Sequence, residues 1–157
     1  MKIFKYFLTF ILLTVSFNVN SQTNDQTTLS GFWSMFKSAI LNEDFSALEN
    51  LSRLPLIQVY YDNVRKSDNL KEYLKNGSGE ELNLLKSQIK NIEIPKIFEF
   101  YDKDSEKRFC NNFKIKIGSE VYSAGIEGFY WSFSDLVFVK INGKYYFLGD
   151  DSIEYEG

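Results

Sequence analysis

The stretch from Leu136 to Leu148 constrains the fold of this chain more than any other. Two apolar runs meet at Asn142-Gly143, a dipeptide suited to the two-residue turn of a β-hairpin. With the turn there, Ile141 faces Lys144, Val139 faces Tyr146 and Val137 faces Leu148 on one side. Leu136, Phe138, Tyr145 and Phe147 fall on the other. Both faces are therefore apolar, whereas a strand with one wet face carries polar residues at every second position. One face must meet helices. The other must be covered by another part of the chain, by a partner molecule, or by a second copy.

Helices are available upstream. Leu29, Phe32, Trp33, Phe36, Ala39 and Ile40 recur at helical spacing, and this helix stops near Asn42. Asp44 is a natural N-cap for a short second helix with Phe45, Leu48 and Leu51 on one side. Pro55 then ends helical conformation and opens an extended segment to about Tyr60. Asp62-Asn63 reads as a turn, Leu70, Tyr73 and Leu74 as a third short helix, and Glu80 to Lys90 as a fourth, with Ser78 at its start. From Ile92 onward the period changes from about 3.6 to 2. Phe98 and Phe100 around Glu99, and Phe113, Ile115 and Ile117 around Lys114 and Lys116, predict half-buried strands. Helices first and antiparallel strands afterwards predict an α+β domain over residues 29–157, with N-terminal helices packed on one face of a sheet.

Residues 1–21 read as a cleavable signal peptide: Lys2 and Lys5 precede an apolar run from Phe7 to about Phe17, too short to span a bilayer. Val19 and Ser21 are small enough to precede a cleavage site. Residues 22–28 are polar and read as a flexible leader. The expected location is secreted or periplasmic, with no stable membrane insertion after cleavage. Without Lys2 and Lys5 the net charge moves from −3 to −5. An acidic chain without a Lys/Arg stripe is a poor ligand for nucleic acid. The single cysteine, Cys110, cannot form an internal disulfide, so the core alone must hold the domain. That core is rich in aromatics: the chain has 15 Phe, 10 Tyr and 2 Trp.

The run Phe32 to Asp44, the segment Leu48 to Leu56 ending in Leu-Pro-Leu, and the closing Val137 to Leu148 together resemble the nuclear transport factor 2-like (cystatin-like) fold, in particular its small exported bacterial members. The resemblance spans most of residues 29–150. It implies a curved antiparallel sheet wrapped around a long helix, a cone-like shape whose mouth takes a small apolar ligand, and dimerisation through the outer sheet face. Some relatives are isomerases or dehydratases that use Asp with His or Tyr.

This chain contains no histidine. That removes Ser-His-Asp and Cys-His nucleophile systems and the usual Cys/His zinc sites, and no cofactor, metal or catalytic residue is assigned. Asn76-Gly77-Ser78-Gly79 lacks the lysine of a phosphate loop. Asp102, Asp104 and Glu106 have the spacing of a calcium loop, but Lys107 and Phe113 stand where Gly and Glu are required, so a solvated turn is expected. Asp150, Asp151, Glu154 and Glu156 read as an acidic, soluble tail.

The aromatic candidates for a ligand site are Trp33, Phe36, Phe98, Tyr130, Trp131, Phe138 and Tyr146. The leading expectation is a non-catalytic binding domain for a small apolar ligand or a protein partner. One alternative is an isomerase or dehydratase with Asp62 or Asp102 as base and a Tyr as electrophile; Glu99 and Asp135 are the other carboxylates beside apolar runs. Another is a homodimeric interaction protein or a neutraliser of a second exported protein.

Overall fold

A computed structural model describes residues 25–60, 63–75, 80–129 and 132–152. Helix α1 (Leu29–Asn42) begins where the Thr28 hydroxyl accepts the Gly31 N–H and ends at Glu43, whose left-handed backbone turns the chain. Helix α2 (Phe45–Asn50) starts at Asp44, which accepts the Ala47 N–H at 3.0 Å, as its position before an apolar stripe predicts. Strands β1 (Ser52–Tyr60) and β2 (Asn63–Ser67) form an antiparallel pair; Asn63, expected in a turn, opens a strand that its exposed, polar sequence does not advertise, and Asp62 lies outside the described residues. Helices α3 (Leu70–Lys75) and α4 (Glu80–Ile89) follow within a residue or so of the expected limits. Then come β3 (Lys96–Ile97), α5 (Lys103–Phe113), β4 (Val121–Phe129), β5 (Ser132–Ile141) and β6 (Lys144–Ser152).

The fold is α+β, and the six strands form one sheet in the order β2-β1-β6-β5-β4-β3. Its pairings are antiparallel except between β1 and β6, which run parallel. The sheet is thus mixed, not purely antiparallel. The physical reason is that β6 returns from the hairpin alongside a strand that the first helices had already delivered, and β1 is oriented by α2 rather than by a turn with β6.

The closing hairpin turns at Asn142-Gly143, both with positive φ (51° and 80°), as a primed turn requires. Ile141 pairs with Lys144 and Val139 with Tyr146, as expected. Val137 does not pair with Leu148. The register shifts there, and Val137 lies opposite Gly149, leaving Leu148 as the extra residue of a bulge.

Both faces of the hairpin are covered by this chain. On one, Phe32, Trp33 and Phe36 of α1 pack over Phe138 and Phe147, with Leu82, Leu85 and Ile89 of α4 and Leu70, Tyr73 and Leu74 of α3 beside them. The Phe36 and Phe138 rings meet edge to face at 5.3 Å, an arrangement that adds ~0.5–1.5 kcal/mol to the burial itself. On the other, Ile57, Val59, Val121, Val137, Val139 and Leu148 meet Phe98, Phe109 and Phe113. The cover there is α5, and it corrects the reading of everything after Ile92 as strands.

Residues 103–113 are helical because Asp102 accepts the Ser105 N–H at 2.7 Å, acidic Asp104 and Glu106 occupy the first turn, and Phe109, Cys110 and Phe113 form one stripe. The apparent alternation Phe113-Ile115-Ile117 is broken at Lys114, which takes a left-handed conformation and ends the helix. Likewise Phe98 and Phe100 follow β3 rather than lie in it; Phe98 stacks on Phe109 at 5.1 Å. Helices therefore lie on both faces of the sheet.

Candidate functional site

The sheet separates the aromatic candidates. Trp33, Phe36 and Phe138 lie together on the α1 face, with centroid distances of 5.3–5.8 Å, each ring in contact with the other two. Phe98 and the half-buried Tyr146 lie on the α5 face. Tyr130 and Trp131 fall outside the described residues, as does Asp62. The rings on the α1 face are spent on each other: Trp33, Phe36 and Phe138 are essentially without exposed surface.

The carboxylates tell a different story from the one their sequence suggests. Glu99 and Asp102 are exposed. Asp102 is an N-cap, and the Ser105 N–H holds its carboxyl below the ordinary value. Asp150 and Asp151, far from forming a solvated tail, are inside β6 and buried, at 0% and 5% exposure. Glu154 and Glu156 lie outside the described residues.

The bulge places them. Because Leu148 is an extra residue, the strand's alternation flips, and Asp150 pairs with Leu136 while Asp151 pairs with Asp135. Asp150 therefore faces the α1 layer, where the Tyr73 hydroxyl of α3 donates to its Oδ1. Among the described residues no donor meets its Oδ2. Burial pushes the Asp150 carboxyl up to about 7, offset in part by Tyr73 and by Gln58 of β1. Asp151 faces the α5 layer. Burial, then Asp150, then Asp135 raise it to about 7, and Arg108 of α5 works the other way. Burial also raises Asp135, against a hydrogen bond from Ser123 of β4.

Gly149 makes this arrangement possible. Its φ of 133° is open to glycine, and a Cβ there would stand 1.9 Å from the Ile57 carbonyl oxygen of β1. The signal for it was present in the sequence, as an isolated glycine inside a strand pattern.

β3 forms one edge of the sheet and, among the described strands, pairs only with β4. Ile97 of β3 is 66% exposed, and in the neighbouring segments of the chain Tyr101 is 89% and Ile117 54% exposed, with Ile94 also exposed. No helix of the described residues is long and apolar enough to cross a membrane. Compared with protein-family models, with curated proteins and with solved structures, the chain matches none.

Proposed function

We propose that this chain is an exported, non-catalytic binding domain that engages a protein partner along the β3 edge of its sheet. The observation that carries the reading is the exposure of Ile97 on the edge strand β3 and of Tyr101 and Ile117 in the segments between β3 and β4, in a protein whose two sheet faces are otherwise closed by its own helices. An edge strand offers unpaired N–H and C=O groups to an added strand, and flanking apolar side chains supply contact area. Single exposed apolar residues are ordinary; several in the span 94–117, beside a free edge, are the pattern of an interaction surface.

The small-ligand reading draws less support, because Trp33, Phe36 and Phe138 pack against one another. For the isomerase or dehydratase reading, the described residues offer a buried carboxylate beside a tyrosine in Asp150 and Tyr73, whereas Asp102 is exposed and Asp62 lies outside the described residues. Asp150 has no exposed surface, and a general base must reach the proton it removes. Export rests on the apolar run behind Lys2 and Lys5, and the nuclear transport factor 2-like kinship on the opening helix and closing hairpin.

Native mass spectrometry of residues 22–157 recovered from the host's exported fraction tests the reading. A protein-sized added mass is expected. An added mass of a few hundred daltons, with no protein partner, would refute it in favour of an internal ligand.

A further inference from the structure

The carboxylates at the end of β6 carry an inference independent of the β3 edge. We propose that Asp135, Asp150 and Asp151 form a pH-sensitive latch, which fixes the end of β6 between β1 and β5 when protonated and loosens it as the carboxylates ionise.

The geometry behind it is a two-sided burial of acid on one short strand segment. Successive residues of a strand point to opposite faces, so Asp150 and Asp151 place one carboxyl in each layer. Asp150 is met by Tyr73 from α3, Gln58 from β1 and the apolar Leu136 from β5. One of its oxygens has no donor among the described residues. Asp151 is directly opposite Asp135 on β5 and beside the apolar Val59 on β1, with Arg108 of α5 as the nearby cation. Asp135 has Ser123 of β4 as its hydrogen-bond partner.

Like charges directly opposite on paired strands repel, and a buried carboxylate without its full set of donors is costly to ionise. Because Asp150 and Asp151 point apart, the trio does not converge on one point, and among the described residues no three such groups could hold a metal ion.

The sign follows from linkage. The folded-state values of Asp150 and Asp151 are raised to about 7 from 3.8. Their stabilising contribution is fully present below pH 3.8 and is lost as pH rises through about 7. The segment that bears the loss is the end of β6, since both groups become solvated if it lifts away.

Amide hydrogen exchange of the purified protein, read by mass spectrometry or NMR between pH 5 and pH 8, tests this. The quantity is the protection of residues 149–152 relative to that of residues 138–145 at the same pH, which cancels the intrinsic pH dependence of exchange. Between pH 6 and pH 8 the relative protection is expected to fall by about tenfold for each carboxylate that titrates near 7. In the Asp150→Asn/Asp151→Asn double variant the slope is expected to vanish, and Tyr73→Phe is expected to move the fall to higher pH. A flat wild-type profile overturns the proposal without recourse to any variant. So does a fall shared equally by residues 138–145, which would mean general destabilisation, or a slope that survives in the double variant.

Discussion

Gly149 is the residue on which the end of the sheet depends. Its Cα lies so close to β1 that any side chain would collide with the Ile57 backbone, which cannot move without breaking strand pairing. Gly149→Ala is therefore expected to cost more than ~3 kcal/mol, well beyond an ordinary glycine replacement, as measured by urea denaturation. A cost below 1 kcal/mol would show that β1 and β6 can separate there without penalty. Asp150 gives the complementary prediction. Asparagine keeps an acceptor for Tyr73 but cannot ionise, so Asp150→Asn should stabilise the protein more at pH 8 than at pH 5, by about 2 kcal/mol for a carboxyl raised to about 7. An equal effect at both pH values would contradict the assignment. Neither residue was legible as it stands. Leu148-Gly149-Asp150-Asp151 continues the hairpin's apolar pattern and then turns acidic, and the run of acids reads as a solvated tail. Because β6 runs on to Ser152, one aspartate enters each core, and the bulge, which the isolated glycine signals, decides which layer each one faces.

Among the elements, α5 shows where periodicity misleads. Its apolar side chains, Phe109, Cys110 and Phe113, are confined to its second half, and Phe113 fits equally well into a two-residue alternation with Ile115 and Ile117. The decisive information lies at its start: an Asp able to cap, followed by acids in the first turn. The helices before residue 90 were legible because their apolar stripes run along each element, and at α2 the Asp44 cap agrees with its stripe; Ser78, the expected start of α4, lies outside the described residues. The short exposed β2 was not, since its pairing with β1 is set by the neighbouring strand rather than by its own apolar residues. If α5 is the cover of the second sheet face, Phe109→Ala should destabilise by about 3–5 kcal/mol. The same variant should expose apolar surface to a dye such as ANS. Loss of stability without dye binding would indicate that the face is closed by something else. Asp102→Ala, which removes only the cap, is expected to cost about 1 kcal/mol.

For the whole molecule, the sequence demands that both faces of the hairpin be covered without saying by what. The structure answers with two layers from the same chain, α1 to α4 on one side and α5 with Phe98 on the other. That moves the candidate interaction surface from the sheet faces to the sheet edge. The aromatic candidates illustrate the limit of composition: Trp33, Phe36 and Phe138 are adjacent in space, yet they pack on each other, and nothing in a list of residues separates a packed ring from a pocket lining. The most direct test places a photo-crosslinking amino acid at Ile97 or Tyr101, and, as controls, at Leu54 on β1 or Val64 on β2 toward the other edge, each exposed. Expressed in the native host and irradiated, the protein should form a discrete crosslinked species with another protein from positions 97 and 101 and none from 54 and 64. Equal crosslinking from both edges, or none from 97 and 101 under conditions that capture a known complex, would contradict a binding role for the β3 edge.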